Sequence, residues 1–228
     1  MLSDRRNTAF ISGSAYEYGT FGDSGSSFIR DLSRSLLRND FKIVSGYGLG
    51  VGAHVVDGAL DEVYLEKKAN ITDHLQVFPF PPIDSPEPIM SRYRTDVVSR
   101  AGIAIFVFGN KLEDISVKQA DGMWKEFEIA RFNNSLLIPV GASGYTSERI
   151  WNQVVHQFDD YFEQREKFAL YEQLGDRSIH RQAFAQPGRQ RSRDDCEFAG
   201  VTRTVSPSRS RDARDQGANR GTPGHDEK

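Results

Sequence analysis

Four glycines spaced two apart, Gly46, Gly48, Gly50 and Gly52, interrupt an apolar stretch between Phe41–Val44 and Val55–Leu60. The first run reads as a strand and the second as a helix, so the glycines form a strand-to-helix corner. Glycine admits positive φ and lets another group approach without meeting a Cβ, and a helix start presents unpaired N–H groups. Such a corner favours anions, phosphate above all, although glycine-rich turns also serve simply to pack helix on sheet. Tyr47, inside the corner, can stack on a base or cover the loop. Three charged residues further on suit the same chemistry: Arg94 and Lys111 for phosphates, Glu126 for ribose hydroxyls. Each also has a plainer reading, the two cations as solvated surface charges and Glu126, like Glu128, as an acid near a helix start.

The elements that must position these residues alternate along the chain. Thr8–Ile11 predicts a first strand, running into the small residues Ser12-Gly13-Ser14-Ala15, where Ser12 and Ser14 also suit a turn. Phe28, Ile29, Leu32, Leu36 and Leu37 predict a helix, and the glycine corner follows. Leu75–Phe78 predicts a third strand, ended by Pro79, Pro81 and Pro82. Ile89, Met90, Tyr93, Val97 and Val98 mark a helix carrying Arg94. Ile103–Phe108, apolar throughout, suits a strand buried on both faces. A polar loop over residues 109–122 carries Lys111, and Met123, Phe127 and Ala130 share a face of the next helix, which holds Glu126. Leu136–Val140 predicts the fifth strand. A last helix capped by Thr146 or Ser147 carries Ile150, Trp151, Val154, Val155, Phe158 and Phe162. Five strands alternating with five helices predict an α/β, Rossmann-like, mainly parallel sheet with helices on both faces. Ligands of such sheets bind beyond the carboxyl ends of the strands, where every small-residue loop of this reading falls.

Composition narrows the functional classes. Residues 176–228 hold ten Arg and one Lys against eight acids, leaving 18 basic and 24 acidic residues in residues 1–175. An acidic folded part disfavours nucleic acid as partner. The Arg- and Ser-rich 176–228 segment predicts a disordered tail, after an N-terminal extension at 1–7 and a nucleotide-binding domain at 8–175. The lone Cys196 and the lack of a long apolar run predict a cytoplasmic protein without membrane attachment. His74 and His156 have no carboxylate or cysteine at ligand spacing, so no metal is expected.

The phrase IVSGYGLGVGAHVVDGAL resembles the glycine-rich segment of the SLOG superfamily. FISGSA, RYRTDVVSRAGIAIFVFGNK and KEFEIA…LLIPVGASGY resemble, in order, the sirtuin/TIR-associating SLOG (STALD) domain, the sensor of the sirtuin-type effector of Thoeris antiphage defence. This resemblance covers Thr8 to Leu174 and implies a non-catalytic sensor whose ligand is a cyclic ADP-ribose isomer, derived from NAD by a TIR-domain protein. It also implies Arg94, Lys111 and Glu126 as ligand contacts, with Gly13, Ser14 and the loop Gly48-Leu49-Gly50 around the phosphates, and self-association into a homo-oligomer. With no sirtuin-like region before Thr8, the effector's NAD-cleaving chemistry is expected to be absent from this stretch, which is either a free-standing sensor with a sirtuin-type effector domain or a TIR-domain protein as partner, or a piece of a longer gene. The alternative is a LOG-like nucleoside monophosphate phosphoribohydrolase. Those enzymes carry PGGxGTxxE where this chain reads GNKLEDISVKQADGMWKEFE, without the paired glycines.

Overall fold

All six residues of the apolar run Ile103–Phe108 are buried, as a strand covered on both faces must be. In the computed structural model, which describes residues 5–65, 70–82, 84–163 and 165–178, this run is the fourth strand of the chain. The elements in order are β1 (Thr8–Ser14), α1 (Gly25–Arg38), β2 (Lys42–Ser45), α2 (Gly52–Leu65), β3 (Leu75–Val77), α3 (Glu87–Val98), β4 (Ile103–Phe108), β5 (Asn110–Glu113), β6 (Ser116–Gln119), α4 (Asp121–Phe132), β7 (Leu136–Pro139), α5 (Tyr145–His156), α6 (Phe158–Tyr161) and α7 (Phe168–Gln173). The main sheet has the order β3-β2-β1-β4-β7, and all its pairings are parallel. The predicted α/β sheet is therefore present, and its five strands are those expected.

The strand order reverses between β1 and β4. The chain steps outward from β1 through β2 to β3, then returns to place β4 on the other side of β1, and the carboxyl ends of those two strands are where sheets of this topology place a ligand crevice. On β1, Phe10 and Ser12 alternate with Ile11 and Gly13, so the two sets face opposite layers. Gly13 faces Val51 beside α2, whereas Ser12 meets Glu126 of α4. Phe106, registered opposite Ser12, packs edge-on against Phe127 of α4.

Three local expectations are corrected. The polar loop predicted for residues 109–122 is instead an antiparallel hairpin, β5–β6, with Asn110 paired to Gln119 and Leu112 to Val117. Its alternation of Leu112 and Val117 with Lys111, Glu113 and Lys118 is in the sequence, but past buried Asn110 the hairpin is largely exposed, so the alternation lacks the apolar weight that marks a core strand. The last predicted helix is broken: α5 stops at His156, Gln157 leaves helical geometry, and Phe158–Tyr161 forms a separate turn. That break lets Phe158 meet Phe162, Phe168 and Tyr171, burying more aromatic surface than a straight helix would reach. Finally, neither Thr146 nor Ser147 caps α5. Gly144 holds that position, and the two hydroxyls are buried donors to backbone carbonyls, Thr146 to Gly109 and Ser147 to Phe106 at 2.7 Å, with Val140 O as the alternative acceptor at 2.9 Å.

The predicted tail lies outside the described residues from position 179 onward, as does the Glu66-Lys67-Lys68 end of the second helix. The described part closes with α7, where Trp151 Nε1 donates to Tyr171 O at 2.6 Å and Tyr171 Oη donates to Leu137 O at 2.7 Å. No helix among the described residues is long and apolar enough to cross a membrane.

Candidate functional site

At the end of β4 the chain turns sharply. Phe108 has φ 58° and Gly109 φ 97°, left-handed values that are costly for phenylalanine. The strain at Phe108 is held by packing, since Tyr18, Phe21 and Phe28 all place their rings edge-on or tilted against it at 5.3 to 6.2 Å. Gly109 has no alternative: a Cβ there would lie 2.5 Å from Met123 Sδ and 2.6 Å from Thr146 Cβ. The turn throws the hairpin outward and brings α4 back over β1 with its amino end at the crevice.

The glycine corner sits on the other side of the crevice, and its glycines are required first of all by the neighbouring loop. A Cβ at Gly48 would lie 2.0 Å from Gly13 O, and one at Gly50, where φ is 66°, would lie 1.9 Å from Ala15 O. The loops after β1 and β2 are further tied by Ala15 N–H donating to Leu49 O at 2.7 Å. Of the two roles the sequence allowed these glycines, ligand approach and close packing, Gly48 and Gly50 fulfil the second through the backbone of the loop after β1. Two apolar side chains of the corner nonetheless stay in solvent, Tyr47 at 47% and Leu49 at 66% exposure.

Arg94 and Glu126 are both buried at this edge, one from α3 and one from α4. The Arg94 guanidinium lies over the first turn of α4, where a Cβ added at Gly122 would come within 3.2 Å of its Nη2. A helix amino end carries partial positive charge, so a cation there calls for an anion between or beside them. Glu87 lies 3.6 Å from Arg94 Nη1, beyond hydrogen-bond reach, and its own carboxylate is taken by Lys125 at 2.7 Å. Arg94 Nε and Nη1 are buried with no hydrogen-bond partner among the described residues. Buried unsatisfied donors on a charged group cost a few kcal/mol, a cost that an acceptor placed beside them would remove.

Glu126 accepts a hydrogen bond from Ser12 Oγ at 2.6 Å, both residues being buried. Burial pushes its carboxyl up to about 7, against the Ser12 hydrogen bond and the Arg94 charge, which both favour ionisation. The folded form then holds its proton more tightly than the unfolded chain. The resulting stability is complete below the ordinary carboxyl value of 4.5 and is lost as pH rises through about 7, by up to ~3 kcal/mol. Glu126→Gln, which keeps the size and an acceptor for Ser12, is expected to abolish this loss. Urea denaturation at pH 5 and pH 8 checks it: the variant should gain on wild type at pH 8 and match it more closely at pH 5.

The remaining residues singled out in the sequence make their own local contacts. Tyr93, beside Arg94, donates from its hydroxyl to Phe78 O, and that oxygen would be 3.3 Å from a Cβ on buried Gly46. Gly13 directly follows Ser12, and Ser14 Oγ donates to Asn110 O at 3.0 Å. Lys111 stands apart on the hairpin, 39% exposed and between Glu113 at 3.7 Å and Asp121 at 3.8 Å. Asp121 is the first residue of α4, next to the Gly122 that the Arg94 guanidinium approaches. Sequence reasoning missed Asn110, which is fully buried: its Oδ1 accepts from the N–H groups of Tyr16 and Glu17 and its Nδ2 donates to Glu17 O. An asparagine directly after a glycine at a strand end was the available signal.

A family model described as Sir2- and TIR-associating SLOG, STALD, matches residues 3–186. The chain belongs to this SLOG family. Curated relatives agree with the assignment. The NAD(+) hydrolase ThsA of Bacillus cereus (strain MSX-D12) is 40% identical over 159 residues, 69% of this chain and 33% of that protein. The proteins of the same name from Cytobacillus dafuensis and Enterococcus faecium are 41% identical over 164 residues and 39% over 173 residues, covering 33% and 36% of their lengths. The chain thus spans about a third of the curated relatives it matches, and the similarity lies in the SLOG domain described above.

Proposed function

We propose that this SLOG domain is a non-catalytic receptor for a cyclic ADP-ribose isomer, an NAD-derived signal of TIR-linked antiphage defence. In this reading it transmits occupancy to a sirtuin-type effector and acts as a homo-oligomer in the cytoplasm. The observation that carries the reading is the buried Arg94 guanidinium with two unpartnered donors at the amino end of α4. A ligand phosphate would satisfy those donors and the helix end together. Glu126 would accept from a ribose hydroxyl, and exposed Tyr47 would cover the base. Signalling follows if the ligand binds one arrangement of subunits or partner more tightly than the other.

Isothermal calorimetry with cyclic ADP-ribose isomers tests the proposal. Saturable binding of one isomer is expected, and no heat with any isomer at about 100 µM would count against a receptor. Lys111→Ala is expected to weaken binding only ~2–5-fold, with the deficit shrinking at high salt, because its ammonium is solvated and already shared by two carboxylates.

One observation favours a second reading, a LOG-like phosphoribohydrolase: a buried carboxyl held near 7 is tuned for general acid–base work. Release of free base from a nucleoside monophosphate, lost in Glu126→Gln, would establish it.

A further inference from the structure

Glu126 makes its hydrogen bond through Oε2 alone; among the described residues none reaches its Oε1. The donor, Ser12, comes from β1, 114 positions away in sequence, and is 1% exposed. It stands where the inward face of β1 changes from Phe10 to a hydroxyl. A serine in the middle of a buried strand sacrifices apolar contact, and here its one polar atom is spent on a carboxyl oxygen.

We infer that Ser12 is a positioning residue of the nucleotide site: its hydroxyl pins one oxygen of Glu126 so that the other faces the ligand as an acceptor for a ribose hydroxyl. The inference rests on the receptor reading above. A carboxylate on a free side chain samples several rotamers, and fixing it before the ligand arrives removes that ordering cost from binding. Pinning also favours the charged acceptor over the protonated donor, because a hydrogen bond received from Ser12 is stronger to a carboxylate than to a carboxylic acid.

The groups acting on Glu126 come from few directions. Ser12 is the polar contribution of β1, while α3 contributes Arg94 and the Tyr93 phenol, whose own proton the Glu126 charge helps to retain. The neighbouring strands β4 and β7 have only apolar side chains, and Arg149 of α5 is stacked on Trp124 of α4, 3.8 Å from the ring centre. Losing the Ser12 hydroxyl therefore removes one of two influences that keep the carboxyl ionised.

The test measures binding of a cyclic ADP-ribose isomer by calorimetry from pH 5.5 to 8.5 for wild type, Ser12→Ala and Ser12→Thr, with the Glu126 carboxyl titrated in parallel by carbon NMR. Wild-type affinity should rise through pH 7. Ser12→Ala should bind ~10-fold more weakly at pH 7 and shift its midpoint upward by roughly half a unit or more, and the carboxyl titration should move with it. Ser12→Thr, which keeps the hydroxyl, should restore both. An unshifted midpoint and carboxyl titration in a folded Ser12→Ala protein would overturn the role of Ser12 and leave the receptor reading intact. Absence of binding by wild type at every pH would overturn both.

Discussion

Arg94→Met is expected to cost ~10²–10⁴-fold in affinity for the nucleotide while leaving the free protein at least as stable as wild type. The loss corresponds to two charge-assisted hydrogen bonds of ~1.5–3 kcal/mol each, made by the donors that stand unpaired without ligand. The retained stability follows from the same donors, since methionine fills similar volume and brings no buried polar group needing a partner. Calorimetry and thermal unfolding on the same samples separate the two effects. Arg94→Lys should recover little, because an ammonium cannot reproduce the guanidinium fork over the first turn of α4. Wild-type affinity in Arg94→Met would remove the anion from the site.

Gly50→Ala is expected to give the largest stability loss of any single methyl addition in the crevice. The new Cβ would lie 1.9 Å from Ala15 O, and φ at this position is 66°. Steric overlap with rigid backbone adds to the left-handed penalty, for a total of about 3–5 kcal/mol. For a chain of this size that is roughly 6–20 °C in melting temperature. Gly144→Ala is the comparison: nothing lies within 4 Å of its Cβ, so only the backbone cost of its φ 79°, ψ −173° conformation, about 1–3 kcal/mol, should appear. Equal losses at the two sites would show that the loops after β1 and β2 do not need their close approach. Arg94 and Glu126 are buried at a cost to the fold, whereas the glycines let two loops interlock behind them.

The sequence by itself determined the alternation of strands and helices, the parallel sheet, and the edge at which the small-residue loops converge. These follow from hydrophobic period and from glycine and proline placement, which are local properties written in consecutive residues. Arg94 and Glu126 were singled out by residue type alone, and both prove to be buried and close enough for the Arg94 charge to act on the Glu126 carboxyl. Only the tertiary structure decided what each residue meets. Gly48 and Gly50 are glycines because Gly13 O and Ala15 O occupy the space of their side chains. Ser12 binds a carboxyl that comes from α4, Thr146 and Ser147 serve the end of β4 rather than a helix cap, and Lys111 rides a hairpin away from the buried pair. The physical reason is common to all of these: contacts between residues far apart in the chain are selected by packing and by the matching of buried donors with acceptors, and neither leaves a periodic trace in the order of the amino acids.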